Sequence, residues 1–170
     1  MRIPRIYTPQ QLLENASVQL EEQASQHLSR VLRMGPGALI ELFDGSGDAF
    51  KASITQLGKK TVEVRIDATL ATVKPSPLFS EIAIAVSKGD KMDLIVQKAT
   101  ELGVNRISPV ISTRTDVKLD AERWQKKIEH WTQVMISACE QSGRNHLATI
   151  EPVKPLSEWL GHCDAAVKLI

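Results

Sequence analysis

The stretch EIAIAVSKGDKMDLIVQKATELGVNRISPVI, residues 81–111, decides the fold because it encodes a strand, a helix and a second strand in succession. Its opening EIAIAV is a short apolar run, typical of a strand that is buried on both faces. Residues 90–102 then carry apolar side chains at helical spacing, with Asp90 as the predicted N-cap and Gly103 as the predicted stop. The closing RISPVI is the next strand. The stretch therefore predicts a strand–helix–strand unit with parallel strands.

The residues that follow repeat this order. Asp120 is the predicted N-cap of a long helix through Glu140. The predicted buried stripe of that helix is Trp124, Ile128, Trp131, Met135 and Ala138. ATIEPV, LSEWLGHC and AAVKLI then predict a strand, a helix and a strand, which indicates an α/β domain with a mainly parallel sheet. AAVKLI has the composition of a buried strand that needs cover on both faces, so we expect the natural domain to continue past Ile170.

The chain before ATVKPSP, residues 71–77, has a different pattern. ALIELF, DAFKASITQL and TVEVRIDATL are apolar-rich or alternating runs separated by glycine-containing turns, which predicts a meander of half-buried strands. Residues 21–33 predict a short helix whose buried face is Ala24, Leu28, Val31 and Leu32. The two prolines of ATVKPSP indicate a linker, so we expect one domain at 1–72 and a second at 78–170.

Composition limits the class of protein. The formal net charge of +1 argues against a protein that coats nucleic acid through bulk electrostatics. No apolar run is long enough to cross a bilayer and the N-terminus lacks the apolar segment of a signal peptide, so we expect a cytoplasmic protein. Cys139 and Cys163 have no metal-ligand or disulfide spacing, and we interpret both as small buried residues.

Local basic patches remain as candidates for RNA contacts. They are Arg2 with Arg5 at the N-terminus and Arg30 with Arg33 in the predicted first helix, although each patch is equally well a solvated surface. Lys88 and Lys91 flank a strand-to-helix turn, where backbone amides favour anions, but the glycine spacing of a nucleotide-binding loop is absent.

Further candidate site residues are the carboxylate of Glu101 and the polar side chains of residues 138–145. Glu101 lies in the last helical turn, where its charge opposes the helix dipole. We expect a salt bridge, with Arg114 or Lys98 as the partner; the alternative is a direct catalytic role. The stretch ACEQSGRN, residues 138–145, ends the long helix at Gly143 with a cluster of polar side chains. That cluster is either an exposed polar C-cap or a site in which Arg144 forks onto a phosphate or a base edge.

Several of these pieces together resemble one family. MRIPRIY, HLSRVLRMGPG, LFDG, SKGDKMDLIVQKATELGV, RTDVKL and ACEQSGRN occur in order over nearly the whole chain and are similar to motifs of the RsmE-type methyltransferases. Members of this SPOUT-class family methylate N3 of a uridine in small-subunit 16S ribosomal RNA with S-adenosylmethionine. The resemblance implies an α/β fold with an N-terminal PUA-like β-barrel that binds RNA, followed by a SPOUT-type domain with a trefoil knot.

The resemblance also implies partners and a cofactor. It predicts a homodimer that acts on 16S ribosomal RNA within the small ribosomal subunit, with S-adenosylmethionine and no metal. Family members continue past AAVKLI into a GPEGG-like loop and an LG-R-LR-ETA-like segment, neither of which occurs in this sequence. We therefore expect the cofactor-binding residues to lie beyond Ile170 and the knot to be incomplete here. The alternative is a non-catalytic RNA- or ribosome-binding fragment that lacks the cofactor pocket.

For the chemistry, the resemblance points to ACEQSGRN. Arg144 is the predicted catalytic cation that stabilises charge developing on the uracil, and Glu140 or Asn145 is predicted to orient the uracil edge. The predicted RNA contacts outside this loop are Arg2, Arg5, Arg30, Arg33, Lys88, Lys91 and Arg114.

Overall fold

A computed structural model of the chain describes residues 3–72, 74–87, 89–113 and 120–169. The chain divides into two compact units. The first contains Met1–Pro77 together with Ile136–Leu147, and the second contains Leu78–Met135 together with Ala148–Ile170. The end of the long helix and the loop after it therefore belong to the first unit, an arrangement that the sequence pattern does not predict.

The first unit is built on a five-stranded sheet in the order β1-β3-β4-β5-β2. Its strands are β1 (Arg5–Tyr7), β2 (Ser17–Gln19), β3 (Leu39–Phe43), β4 (Ala49–Leu57) and β5 (Val62–Leu70). Strands β3, β4 and β5 form an antiparallel meander, which confirms the prediction from the alternating runs. Strand β1 pairs in parallel with β3, and β2 pairs antiparallel with β5. Alternate side chains of β5 enter the apolar core because successive residues of a strand face opposite sides.

The predicted helix at 21–33 forms in two parts. Helix α1 (Glu22–Gln26) runs directly into a π-helical turn at His27–Val31. The N–H of Leu32 donates to the carbonyl of His27, five residues back, which widens the turn and shifts the register of the side chains. Leu28 is fully buried as predicted, but the prediction that Val31 and Leu32 are buried is wrong, since Val31 is 67 % exposed.

The second unit has a small parallel sheet with β7 at its centre. Its elements are β6 (Glu81–Ala85), α2 (Lys91–Leu102), β7 (Arg106–Ile111), the part of α3 (Ala121–Ser142) before residue 136, β8 (Thr149–Ile150), β9 (Lys154–Pro155) and α4 (Leu156–His162). Strand β7 pairs in parallel with β6, β8 and β9, which confirms the predicted parallel sheet. The prediction that β6 is buried on both faces is wrong. It is only half-buried, because among the described residues it pairs with β7 alone and lies at a sheet edge.

Of the helix ends predicted at Asp90, Gly103 and Asp120, two are confirmed and one is wrong. Asp120 is confirmed as a cap of α3, since its Oδ1 accepts a 2.8 Å hydrogen bond from the N–H of Arg123. Gly103 is confirmed as the end of α2, with a left-handed φ of 85°. Asp90 occupies the N-cap position of α2 but makes no side-chain capping hydrogen bond, so its predicted role is wrong. Its ψ of 4° departs from the extended backbone that aims a capping side chain at the first turn.

The predicted buried stripes are partly confirmed. In α3 the side chains of Trp131, Met135 and Ala138 are buried, whereas Trp124 and Ile128 are half-buried. In α2 the apolar stripe does not extend to Leu102, which is exposed at the last position of the helix.

The predicted strand at AAVKLI is wrong for the residues that the structure describes. Residues 165–169 form no strand, and Val167 and Leu169 are 75 % and 91 % exposed. An apolar run becomes a strand only when a neighbouring strand satisfies its backbone N–H and C=O groups, and no described segment pairs with this one. No helix in the described part of the chain is long and apolar enough to span a membrane.

Candidate active site at the end of helix α3

Helix α3 ends at Ser142, within the polar stretch ACEQSGRN. Gly143 has a φ of 83°, a left-handed conformation that side chains with a Cβ rarely adopt, and its N–H donates to the carbonyl of Cys139. The structure thus confirms that Gly143 terminates the helix. The chain then turns towards the first unit's sheet, and contacts of three kinds hold the side chains on either side of Gly143.

The first kind is backbone and amide pairing with the turn between β3 and β4. His146 forms an isolated antiparallel bridge with Ser46, and Nδ2 of Asn145 donates to the carbonyl of Gly47 at 3.3 Å. A Cβ on Gly47 would overlap the ring of His146, and the φ of Gly47 is 121°. The glycine therefore permits the close approach of the loop to this turn.

The second kind is a set of contacts around Arg5. Its Nη1 lies 2.6 Å from Oε1 of Glu41, while its Nη2 donates to Oδ1 of Asn145 at 2.5 Å and to the carbonyl of Arg144 at 3.1 Å. The guanidinium also lies over the ring of Phe43, 5.2 Å from the centroid. Only 11 % of the Arg5 side chain is exposed. The guanidinium is thus shared between a carboxylate of β3 and two acceptors of the loop.

The third kind is the contact of Glu140 with β1. Oε1 of Glu140 accepts a 3.1 Å hydrogen bond from the backbone N–H of Tyr7. Burial raises the pKa of the Glu140 carboxyl, and the Tyr7 N–H and the charges of His27 and Arg5 offset part of that increase. A carboxyl whose pKa lies above its ordinary range is a better proton acceptor near neutral pH.

Cys139 lies on the buried side of the same helical turn. Its Sγ lies 3.6 Å from the carbonyl oxygen of His146, and burial raises the pKa of the thiol to about 11. The thiol is therefore protonated at neutral pH and unsuited to nucleophilic chemistry. The interpretation of Cys139 as a small buried residue is confirmed, whereas Cys163 is only half-buried.

The structure brings Glu140, Arg144, Asn145 and Arg5 together in the first unit. Both polar ends of the Asn145 amide are used, by Arg5 and by Gly47, which favours a positioning role for this side chain. The placement of Arg5 likewise favours a structural role. Their predicted roles, a uracil contact for Asn145 and a phosphate contact for Arg5, stay predictions.

The other predicted residues lie elsewhere. Arg30 and Arg33 are exposed at and just after the π-helical turn, and Arg33 has a φ of 52°. Lys91 is exposed at the first position of α2, in the second unit. Arg2, Lys88 and Arg114 fall outside the described residues, as does the segment RTDVKL.

Glu101 has the salt bridge that its position predicts. Lys98 is the partner, with Nζ 3.0 Å and 2.8 Å from the two carboxylate oxygens, and Gln97 donates to Oε1. The hydrogen bond from Lys98 is the main reason that the pKa of Glu101 is lowered. This pairing within one helix supports a structural role.

Sequence patterns missed two participants in the site. Glu41 and Gly47 come from the β3–β4 hairpin, and they meet the α3 loop only because the fold brings together segments about a hundred residues apart, such as Asn145 and Gly47 at a separation of 98. The turn Asp44-Gly45-Ser46-Gly47 was the available signal, since its two glycines indicate a tight hairpin. No pattern connects that hairpin to a loop so far along the chain.

A family model described as an RNA methyltransferase domain matches residues 74–170, and one described as an RNA methyltransferase PUA domain matches residues 20–67. Because the first match covers more than half of the chain, the chain belongs to the RNA methyltransferase family. The predicted fold class, a PUA-like domain followed by a SPOUT-type α/β domain, is confirmed.

Relatives of this chain are named ribosomal RNA small subunit methyltransferase E. The proteins of that name from Buchnera aphidicola (strain Sg) and Bacillus subtilis are 32 % and 31 % identical to this chain, over 93 % and 90 % of it. The chain spans 64 % and 60 % of the length of these two relatives. The RsmE-type resemblance that the motifs indicate is confirmed.

Two solved structures are also similar to this chain. A methyltransferase from Legionella pneumophila, in complex with the cofactor SAM, superposes with a TM-score of 0.93 at 38 % identity, over 99 % of this chain and 70 % of that one. A ribosomal RNA small subunit methyltransferase E from Neisseria gonorrhoeae, bound to S-adenosyl methionine, has a TM-score of 0.91 at 41 % identity, over 96 % of this chain and 67 % of that one.

Proposed function

We propose that this protein takes part in the methylation of uridine N3 in 16S ribosomal RNA, with S-adenosylmethionine as the methyl donor. The observation that carries the proposal is the likeness, over 96 % of the chain, to a small subunit methyltransferase E that binds S-adenosyl methionine. The choice of uridine N3 comes from the RsmE-type resemblance. A homodimer that acts within the small ribosomal subunit, in the cytoplasm, stays part of the proposal.

When bound, the cofactor would supply an electrophilic methyl group: its carbon–sulfur bond would break as the carbon–nitrogen bond forms at N3 of the uracil, and the N3 proton would pass to a base or to water. We assign none of the described residues to the cofactor. The roles below therefore concern the uracil and the RNA alone. Among the described residues no cluster of histidine, cysteine and carboxylate side chains could hold a metal ion.

In this proposal Arg144 stabilises the negative charge that develops on O2 or O4 of the uracil. A cation does this best when it is fixed before the reaction, because no reorganisation is then needed in the transition state. The backbone of Arg144 meets that condition, since its carbonyl is bound by Arg5 and the next side chain, Asn145, is bound by both Arg5 and Gly47. Glu140, one helical turn away, orients the N3 edge through its carboxylate. The raised pKa of Glu140 supports that role.

The RNA contact proposed for the first unit is the π-helical turn. There Arg30 and Arg33 are exposed beside the exposed side chains of Val31 and Leu32. Cationic groups pair with phosphates, while exposed apolar groups suit the faces of unstacked bases. An unpaired stretch of RNA presents both, and an unpaired uridine is also what methylation at N3 requires, because N3 is occupied in a base pair.

The test is transfer of a labelled methyl group to small ribosomal subunits and to naked 16S RNA by the full-length protein. Arg144→Ala should lower the rate about 100-fold or more, the range found when one preorganised electrostatic contact is removed. The matched control is Arg123→Ala, which removes an exposed arginine near the start of α3 and should leave the rate unchanged. Equal rates for Arg144→Ala and the unmodified protein would exclude the catalytic role.

The same experiment separates the enzyme from the binding fragment. RNA binding by the unmodified protein, with no methyl transfer to either substrate, would favour the non-catalytic RNA- or ribosome-binding alternative. Transfer of label to a uridine, located by digestion of the RNA, would support the proposed reaction. Label on another base would contradict the proposed position.

A further inference from the structure

Arg5 lies at the meeting point of three segments. Strand pairing sets Arg5 opposite Glu41, because β1 and β3 are parallel with these two residues in register. The same guanidinium reaches the loop after α3, 139 residues away for Arg144 and 140 for Asn145. One side chain therefore connects the edge strand of the first sheet to the loop that carries the proposed catalytic cation.

The contacts of this guanidinium are specific to arginine. The planar fork presents donors in fixed directions, so one nitrogen can face the Glu41 carboxylate while the other faces two loop oxygens. A lysine ammonium carries one nitrogen and cannot occupy both positions. The guanidinium also lies over the ring of Phe43, which adds a cation–π contact.

A phosphate contact is a poor fit for Arg5. A side chain that binds phosphate needs its donors accessible to the RNA backbone, and only 11 % of this side chain is exposed. To contact RNA, the guanidinium would have to move away from Glu41. The Glu41 side chain is only 22 % exposed, so its carboxylate would lose its cation partner in a largely desolvated position. Arg30 differs on this point, since it is exposed.

We propose that Arg5 is a positioning residue that holds the loop 143–147, and with it Arg144, in the conformation that the reaction uses. Arg5 then acts through Asn145 and the carbonyl of Arg144 and does not touch the RNA. This inference rests on the proposed function of Arg144. It also changes the role predicted for Arg5 from the basic pair at the N-terminus.

Three variants isolate the contact of Arg5 with the loop. Arg5→Met keeps most of the apolar stem and removes all donors, whereas Arg5→Lys keeps the charge without the fork. Asn145→Ala removes one of the two loop acceptors and leaves the pair of Arg5 with Glu41 intact, so it serves if Arg5→Met does not fold. Arg30→Ala is the matched control for a phosphate contact.

The kinetic readout separates positioning from RNA binding. Arg5→Met and Asn145→Ala should each lower kcat about 10- to 100-fold, the loss that follows from misplacing a reacting group, with KM for RNA unchanged. Arg5→Lys should rescue little of that loss. The dependence of RNA affinity on salt should keep its slope in Arg5→Met, whereas Arg30→Ala should reduce the slope by about 1. A reduced slope and a raised KM in Arg5→Met, with kcat intact, would overturn the proposal.

Amide hydrogen exchange gives a readout that needs neither RNA nor cofactor. Faster exchange in residues 143–147 of Arg5→Met and Asn145→Ala, with unchanged protection in β4 and β5, is the expected result. Unchanged exchange in that loop would refute the contact even if activity fell. If the unmodified protein transfers no methyl group, the proposed function fails, while the exchange result still decides whether Arg5 holds the loop.

Discussion

The backbone N–H of Tyr7 donates to the carboxylate of Glu140 over a sequence separation of 133 residues. This hydrogen bond joins the first strand of the chain to the end of helix α3, at the point where the ACEQSGRN loop begins. Burial of the same carboxylate raises its pKa. The site therefore keeps an acidic group that is costly to ionise, which makes its effect on stability testable.

Replacing Glu140 by glutamine should stabilise the folded protein at neutral and higher pH. A raised pKa means that the folded state holds the proton more tightly than the unfolded chain does, so the stability that this group contributes is present below about pH 4 and is lost as pH rises. Glutamine stays neutral, and its amide oxygen can still accept the Tyr7 N–H.

Thermal unfolding at pH 4 and pH 8 measures this effect. The midpoint of Glu140→Gln should exceed that of the unmodified protein at pH 8, and the difference should shrink at pH 4. Glu129→Gln, an exposed position on the same helix, is the matched control. A lower midpoint for Glu140→Gln at pH 8 would show that the carboxylate's attraction to Arg5 and His27 outweighs its burial.

Gly47→Ala should be strongly destabilising. The new Cβ would overlap the His146 ring, and the φ of 121° is unfavourable for any residue with a side chain. We expect a loss of about 1 to 3 kcal/mol or more in the free energy of unfolding, measured by urea denaturation. Gly35→Ala, where a Cβ meets nothing within 4 Å, should cost much less. Equal losses at the two positions would mean that the loop moves away at little cost.

Cysteine labelling should distinguish the two thiols. Cys139 is fully buried with a pKa of about 11, so an alkylating reagent at pH 8 should leave it unmodified in the folded protein. Cys163 is half-buried and should react. Peptide mass spectrometry identifies the modified site, and labelling in denaturant is the positive control. Rapid alkylation of Cys139 under native conditions would contradict the packing of the α3 end.

Trp159→Phe should weaken the attachment of α4 to the parallel sheet. The indole Nε1 donates a 2.8 Å hydrogen bond to Oε1 of Glu81, which also accepts from the hydroxyl of Ser108. Phenylalanine keeps most of the ring and removes the donor. Because the carboxylate is partly accessible to water, we expect a loss of only about 1 kcal/mol at pH 7.

The stability contributed by the Trp159–Glu81 hydrogen bond should depend on pH in the opposite sense to the stability contributed by Glu140. Burial raises the pKa of Glu81, but the hydrogen bonds from Ser108 and Trp159 and the charge of Arg106 outweigh it and lower the pKa overall. The contribution of the contact is thus present above the unfolded pKa and is lost as pH falls through the folded one. Denaturation at pH 7 and pH 3 should show the penalty shrinking in acid; Leu160→Ala, at an exposed neighbour, is the control.

Sequence periodicity predicted most of the local structure correctly. The alternating runs before residue 71, the helix ending at Gly103 and the strand RISPVI all form as expected, because spacing of apolar residues and a glycine stop act within a few residues. The short strand β1 was missed, since three residues carry too little periodicity to identify a strand. Where a local rule failed, at Val31 and Leu32, a π-helical turn had changed the register.

The sequence by itself determined the order of the elements, the division into an alternating and a meandering part, and the motifs that identify the family. Only the tertiary structure decided that ACEQSGRN belongs with the first unit and that Arg5 binds its loop through Asn145 and Arg144. Periodicity and capping arise from interactions between near neighbours and can be found along the chain. The Arg5 guanidinium instead binds acceptors 139 and 140 residues away in the sequence. These contacts form only when distant segments pack together, and no pattern among neighbouring residues predicts them.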